Sequence, residues 1–289
     1  MTSYLITGGS GALGTAIAKR LLENPLGEDI ARIIIFSRGE YRQHQMAKEL
    51  EPLDEYKRLR FFIGDVRDRD RLRRAMERTH VVIHAAALKR IEVGHYNPVE
   101  MVKTNVLGSI NVVEAAQDAG VVKVVGVSSD KAYQPVSPYG CSKAMMESLF
   151  LAANSTSGWE GPRFSVCRYG NVWNSTGSVV PVWREILRKN KDAALPVTDP
   201  DCTRFFMRMS EAVDLVLETA RTMKGGETAI PNLPAFRLHD LAVAMDTRYS
   251  VIGLPRWEKL HESMSSAGSS AEARMMTVDE LRAELERTP

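Results

Sequence analysis

A short apolar run at residues 4–7 passes straight into Gly8-Gly9-Ser10-Gly11-Ala12-Leu13-Gly14, with Gly8, Gly11 and Gly14 three residues apart. Few folds accept this pattern. A strand has to stop, the chain has to turn tightly, and a helix has to start against the strand just completed. Glycine allows the tight turn and lets backbone N–H groups approach a ligand that a Cβ would hold off. The free N–H groups and positive dipole end of the new helix then suit a pyrophosphate. Strand, glycine turn and helix in that order predict a dinucleotide site. The alternative use of such glycines is a purely structural turn.

The rest of the first 170 residues repeats the theme. Runs rich in Val, Ile and Phe at 32–37, 59–63, 81–85, 123–128 and 164–169 predict strands buried on both faces. Helical patterns fall between them at 12–24, 41–50, 67–78, 98–119 and 138–154. Strand alternating with helix predicts right-handed βαβ units and an α/β fold, a doubly wound parallel sheet of the Rossmann type. Beyond Tyr169 the alternation weakens. Helices are predicted at 178–190, 210–223 and 238–247, a loop leading into a short strand at 199–206, and a flexible link at 265–270. Thr277 and Glu280 have the spacing of a capping box that opens a last helix. The domain reading is an NADP-binding domain over 1–170 and a smaller, mostly helical substrate-binding lobe over 171–289. The lobe is expected to interleave with the last sheet strands and to cover the strand carboxyl ends, where ligands of open α/β sheets bind.

Charge excludes several partners. The 38 basic and 36 acidic residues leave +2, too little for a nucleic-acid field or a polybasic membrane patch. Cys141, Cys167 and Cys202 lack metal-ligand spacing and are too few for a disulfide framework. No apolar run is long enough to span a bilayer, and no signal-peptide pattern precedes the first strand. The expectation is a cytoplasmic protein with no metal.

Residues after the second strand bear on which dinucleotide binds. An Asp or Glu there suits the ribose hydroxyls of NAD. This chain has Ser37-Arg38, with Arg42 close behind, and a hydroxyl with guanidinium groups suits the 2′-phosphate of NADP; a solvated loop arginine is the alternative. Asp65-Val66 is placed to meet the adenine, and Ala85, Ala86 and Ala87 form a small-residue wall. His84 is read equally as a packed core histidine or a catalytic one.

The chemistry concentrates in residues 128–143. Tyr139 and Lys143 are one helical turn apart and share a face. Tyrosine ionises near ~10, and a neighbouring lysine with a nicotinamide cation favours the phenolate. Tyr139 then takes a hydroxyl proton while hydride leaves the same carbon, Lys143 holds the ribose, and Ser129 shares the substrate hydroxyl. Asp130-Lys131, at the end of a buried strand, reads either as a solvated ion pair or as an acid beside a base. If a sugar carbon is first oxidised, the adjacent C–H becomes acidic. A Lys131 whose pKa is lowered by desolvation removes that proton, and a protonated Asp130 helps the next hydroxyl depart.

With these motifs in view, the chain resembles the extended short-chain dehydrogenase/reductases. More narrowly it resembles the nucleotide-sugar 4,6-dehydratases, including the 5-inverting UDP-N-acetylglucosamine enzymes. The resemblance rests on Phe36-Ser37-Arg38, His84-Ala85-Ala86-Ala87-Leu88-Lys89-Arg90, Tyr96-Asn97-Pro98, Lys103-Thr104-Asn105 and Ser128-Ser129-Asp130-Lys131. It continues in Arg168-Tyr169-Gly170-Asn171-Val172, Gly177-Ser178-Val179-Val180-Pro181, Thr198-Asp199-Pro200 and Thr203-Arg204-Phe205. It implies an oxidoreductive triad of Ser129, Tyr139 and Lys143, and an elimination pair of Asp130 and Lys131. It implies a tightly bound, recycled NADP touching Gly8, Ser10, Gly11, Ala12, Leu13, Gly14, Lys89 and Asn105. It also implies a UDP-sugar held by Lys89, Asn171, Ser178, Val179, Val180, Thr203, Arg204, Arg256 and Glu258, and a homo-oligomer. Retaining members lack the tyrosine, so Tyr139 points to inversion at C5.

The chain departs from the pattern in three places. Ser129 stands where threonine is usual, and Ala12-Leu13 where Ser-Phe is usual. Pro255-Arg256-Trp257-Glu258-Lys259-Leu260-His261-Glu262 stands where the pattern has Arg-Pro-Gly-Glu-Lys-Leu-His-Glu. The C-terminal end is also shorter. The competing readings are a nucleotide-sugar 4-epimerase or reductase, which needs only the triad, and a non-catalytic NADP-binding module.

Overall fold

The computed structural model describes residues 1–24, 27–245 and 247–288. Six strands follow the glycine-turn logic: β1 (Thr2–Thr7), β2 (Ile30–Ser37), β3 (Leu59–Ile63), β4 (Val81–His84), β5 (Lys123–Val127) and β6 (Arg163–Cys167). A seventh, Thr228–Ala229, comes from the C-terminal part of the chain and pairs with β6. The sheet runs Thr228–Ala229, β6, β5, β4, β1, β2, β3, and every pair is parallel. Strand order reverses between β1 and β4, which opens a crevice at their carboxyl ends.

Alternation of side chains explains both the apolar runs and the layers. Along β2, Ile33 and Ile35 enter one core with Ile17, Leu21 and Val216, whereas Ile34 and Phe36 enter a second with Leu72, Ala115 and Phe150. Helices Ala12–Glu23 and Met209–Thr222 pack together, as do Arg69–Met76, Gly108–Asp118 and Pro138–Thr156. The lobe beyond residue 170 has its own core around Trp173, Trp183, Phe206, Phe236 and Leu281. Its last helix, Val278–Arg287, opens on the expected capping box, with Thr277 N–H donating to Glu280 Oε2 at 2.9 Å. No helix among the described residues is long and apolar enough to cross a membrane.

Strand and helix bounds in the first 170 residues lie within two residues of those read from the sequence. The differences are local and physical. The helix read over 98–119 winds as a π-helix through Val102–Leu107, the turn that carries Asn105. Residues 265–270 are not a flexible link: Ser263–Ser265 pairs antiparallel with Gly268–Ser269, and Ser270 is fully buried. Its Oγ lies 2.6 Å from Thr203 Oγ1 and accepts from Glu262 N–H at 2.9 Å. The serines there are small hydrogen-bonding wedges. The helix read over 238–247 spans Leu238–Ala244, and position 246 lies outside the described residues. Helix Ile91–Tyr96 gave no sequence signal.

The glycine turn is sterically closed. A Cβ on Gly14 would stand 2.5 Å from the Gly9 carbonyl oxygen and 2.6 Å from its Cα, both rigid backbone. Gly14→Ala is therefore expected to destabilise the protein by about 1–3 kcal/mol, the usual range for overpacking. Urea unfolding midpoints of the two proteins measure this, and equal midpoints refute it.

Candidate active site

The glycine turn lies after β1 and against Ala85 and Ala86, which follow β4. Gly8 has φ +66°, and a Cβ there would lie 2.9 Å from the Ala86 backbone. The turn can therefore press against Ala85 and Ala86 only as glycine. Gly11 N–H donates to Gly8 O at 2.8 Å, and the helix starts at Ala12 with no side-chain cap. Its first N–H groups keep their capacity for an anion. This geometry fits a dinucleotide pyrophosphate. Leu13 is partly buried and packs on the core.

Ser10 Oγ and Ser37 Oγ are 2.8 Å apart, which ties the turn to the end of β2. Gln43, buried and unnoticed in the sequence, donates from Nε2 to Ser37 Oγ at 2.9 Å and to Phe62 O at 2.9 Å. Its only signal was a polar residue on the inner face of an amphipathic helix. Arg38 and Arg42 are exposed, and Arg38 reaches no nearer than 3.9 Å to Asp65. Asp65 is instead engaged by Arg67 Nη2 at 2.7 Å. Burial works against the Asp65 carboxylate, but Arg67 outweighs it and holds its pKa below the ordinary value. Val66 is buried beneath Gly108.

His84 is a core histidine. Its Nδ1 lies 2.8 Å from Thr7 Oγ1 and its Nε2 3.2 Å from Ser109 Oγ. Ser109 donates its hydrogen to Asn105 O at 2.6 Å. The hydroxyl must then accept from His84 Nε2–H, leaving Nδ1 to accept from Thr7. Burial, reinforced by Lys143, drives the imidazole pKa down to about 3. The Asn105 side chain is committed to protein: Oδ1 accepts from Leu88 N–H at 2.8 Å, and Nδ2 donates to Leu88 O and Ser142 Oγ, both at 2.9 Å. It fixes the loop after β4 to the helix of Tyr139 and Lys143.

The chemistry residues meet at the end of β5. Asp130 is buried, and its Oδ1 accepts from Ser129 Oγ at 2.8 Å and from Lys131 Nζ at 3.2 Å. Ser129 gives its hydroxyl hydrogen to Asp130 and acts on the Tyr139 phenol from beside it. Burial raises the phenol pKa; Lys131 and Ser129 pull it down in part, and Asp130 adds to the rise. The cation acting on Tyr139 is thus Lys131, where the sequence suggested Lys143. Lys143 is buried and makes no hydrogen bond to protein among the described residues. Burial lowers its pKa to about 8 against the opposing pull of Glu147.

Lys131 corrects an expectation. Desolvation does act to lower its pKa, but the carboxylates of Asp130 and Glu262 outweigh it and hold the ammonium charged well above the ordinary lysine value. Glu262 is the residue that sequence reasoning missed. It is buried, with Oε1 3.3 Å from Lys131 Nζ and Oε2 3.5 Å from Lys259 Nζ.

The residues expected at the substrate divide into two groups. Thr203 and Arg204 are buried and turned inward: Thr203 Oγ1 meets His261 Nδ1 at 2.8 Å, and Arg204 pairs with Glu258 at 3.2 Å. Lys89 and Arg256 are exposed. Ser178 precedes the helix Val179–Lys189 but does not cap it, and Val180 is buried at its first turn. Seven buried side-chain polar atoms lack a hydrogen-bond partner among the described residues. Four of them, Ser128 Oγ, Asp130 Oδ2, Asn171 Oδ1 and Ser178 Oγ, lie in the sequence-predicted site segments, and a fifth is Glu262 Oε2. Unpaired buried polar groups call for an explanation, and a polar ligand supplies one.

Comparison with known proteins accords with this geometry. The model of the family described as "Polysaccharide biosynthesis protein" matches residues 4–280. The chain is 42% identical over 270 residues to a Campylobacter jejuni protein named UDP-N-acetylglucosamine 4,6-dehydratase (inverting), covering 93% of this chain and 78% of that one. It is 38% identical over 277 residues to a Rickettsia bellii protein named UDP-glucose 4-epimerase, covering 94% and 80%. Among solved structures, Pen from Bacillus thuringiensis matches with a TM-score of 0.90 at 32% identity, over 99% of this chain and 98% of that one.

The buried imidazole makes stability depend on pH. Its folded pKa, about 3, lies below the unfolded value of 6.5, so the unfolded chain binds the extra proton. The His84 contribution is complete above pH ~6.5 and is lost as pH falls toward 3. Within that window the wild type should lose about 1.4 kcal/mol per pH unit more than His84→Gln. Denaturant titrations at a series of pH values give both slopes, and parallel slopes refute the assignment.

Proposed function

The chain belongs to the polysaccharide biosynthesis protein family, and we propose that it is an NADP-dependent nucleotide-sugar 4,6-dehydratase that inverts C5, acting on UDP-N-acetylglucosamine. One observation carries this reading. The buried Asp130–Lys131 pair shares Asp130 Oδ1 with Ser129 Oγ, so the groups suited to oxidation and those suited to elimination form one connected site. Simple oxidation leaves a buried lysine–aspartate pair without a task.

The bound dinucleotide supplies the hydride acceptor at C4 and the donor at C6. Tyr139, beside Ser129, takes the C4 hydroxyl proton, and Lys143 with its lowered pKa meets the ribose. Lys131 starts as an ammonium 3.2 Å from a carboxylate oxygen of Asp130. Transfer of one proton across that contact creates a neutral amine and a protonated carboxyl together, the base and the acid that elimination requires. Lys131 then removes the C5 proton, made acidic by the C4 carbonyl, and Asp130 protonates the C6 hydroxyl, which leaves as water. Lys131 finally returns a proton to the opposite face of C5. The lobe over 171–289 holds the nucleotide, with Asn171 and Ser178 offering unpaired polar atoms to it. Cytoplasmic location and homo-oligomer formation complete the proposal; exposed Val99, Val102 and Leu107 offer apolar surface to a second copy.

Turnover of UDP-N-acetylglucosamine in heavy water should give a product lighter by one water with deuterium at C5, without accumulation of free reduced cofactor. A dehydrated product unlabelled at C5 sinks the elimination mechanism. The likeness to a protein named as a 4-epimerase keeps a second reading in play. Lys131→Ala separates the two, because turnover that survives with the C6 oxygen retained establishes epimerisation.

Cofactor choice has its own test. β2 ends in Ser37-Arg38 with no Asp or Glu at the strand end itself, and the exposed Arg38 guanidinium stands there, 3.9 Å from Asp65. Arg38→Ala should weaken NADP binding roughly 10–100-fold, the worth of a charge-assisted hydrogen bond, and leave NAD binding unchanged. Calorimetric titration with both dinucleotides measures it, and an equal loss for the two overturns the assignment to the 2′-phosphate.

A further inference from the structure

Lys131 is held from two distant parts of the chain. Asp130 is its neighbour in sequence. Glu262 arrives on the segment that leads into the hairpin of Ser263–Ser265 and Gly268–Ser269. That segment is firmly fixed: Glu262 N–H donates to Ser270 Oγ at 2.9 Å, Ser270 N–H donates to Glu262 O at 2.7 Å, and Ser270 Oγ meets Thr203 Oγ1 at 2.6 Å. Among the described residues the carboxylate has no competing hydrogen bond. Its Oε1 is 3.3 Å from Lys131 Nζ, and its buried Oε2 is 3.5 Å from the Lys259 ammonium.

We propose that Glu262 is the positioning residue of Lys131: it fixes the amine at the reacting carbon and sets the pH at which Lys131 becomes a base. The inference rests on the dehydratase reading and adds to it a residue and a control. The groups facing Lys131 are few. Asp130 lies on its own turn, Tyr139 on the helix Pro138–Thr156, Arg204 on the strand Thr203–Met207, and Glu262 with Lys259 on the C-terminal segment. Asp130 is needed as the acid, so its charge changes within each turnover. Glu262 is the carboxylate whose charge persists, and it keeps the ammonium attached until the carbonyl at C4 has formed. A lysine that deprotonated freely at neutral pH would be available to side reactions of the keto sugar.

The sign of the effect is fixed. Removing a carboxylate from beside an ammonium lowers the pKa of that ammonium, by about 1–3 units for a close pair. Glu262→Gln keeps the size and removes the charge. It should move the rising limb of C5 hydrogen–deuterium exchange against pH downward by about 1–3 pH units. Lys259→Met removes the cation that competes for Glu262, and should move the limb upward. The same shifts should appear, without any turnover, in the pH dependence of Lys131 modification by trinitrobenzenesulfonate, read by mass spectrometry of its peptide. Limbs that coincide in all three proteins, with only the amplitude changed, make Glu262 structural and overturn the proposal. Should Glu262→Gln not fold, Lys259→Met and the reagent titration still decide. A wild type that releases no water from any nucleotide sugar overturns the functional reading instead, and the reagent titration then judges Glu262 alone.

Discussion

A lysine ammonium only 18% exposed, set between two buried carboxylates, governs how the two halves of this molecule meet. An unpaired buried charge costs several kcal/mol, and breaking a buried pair leaves that cost in place. Lys131 at the end of β5 meets Asp130 from its own turn, and the C-terminal segment adds Glu262 as a second carboxylate. Neighbouring contacts follow the same line. Lys259 Nζ donates to Tyr133 O at 2.6 Å, and Arg168 Nη1 donates to Met264 O. The lobe is fastened to the sheet rim by charges, and those charges surround the proposed reacting groups.

The cofactor side obeys a different constraint. There the sheet itself does the positioning, because the reversal of strand order at β1 and β4 leaves a gap that a dinucleotide can enter. The glycine turn, Ala85 and Ala86 are close because nothing larger fits between them. The buried chain from Thr7 through His84 and Ser109 to Asn105 carries that rigidity across to the helix of Tyr139 and Lys143. The π-turn at Val102–Leu107 is where Asn105 reaches that helix, in keeping with the frequent use of such turns at functional sites. Cofactor cradle and catalytic helix are thus joined by a polar wire whose members are all satisfied.

What could be read from the sequence was whatever is local in it. Strand, turn and helix are set by patterns a few residues long, and so are the pairings of Tyr139 with Lys143 and of Asp130 with Lys131. Glu262 lies more than a hundred residues from Lys131, and no short-range pattern links them. The expected pKa shift of Lys131 had the wrong sign, since burial alone lowers a lysine and the carboxylates of Asp130 and Glu262 together reverse the balance. The serines of 265–270 misled for a related reason: a serine-rich run reads as flexible unless the buried acceptors awaiting it are known. The bulky Trp257, anomalous in the sequence pattern, gains a place in the fold, where its ring stacks on His95 at 4.3 Å. That contact docks the 255–262 segment on helix Ile91–Tyr96, an element the sequence did not announce.

The unpaired polar atoms show what this arrangement costs the free protein. A buried polar group without a partner is destabilising by about 1–3 kcal/mol, and five of the seven in the described residues belong to the site or touch it. Arg58 Nε and Thr79 Oγ1 are the two outside it. A chain selected for stability alone would cap Asp130 Oδ2 or replace Ser178. Here the atoms stay open on the elements that bound the crevice: Ser128 and Asp130 after β5, Asn171 after β6, Ser178 before its helix. A ligand rich in hydroxyl, amide or phosphate groups would offer them partners. Binding such a ligand would remove several of these penalties together, so the same unsatisfied atoms that weaken the empty fold favour a polar sugar nucleotide over an apolar molecule of equal size.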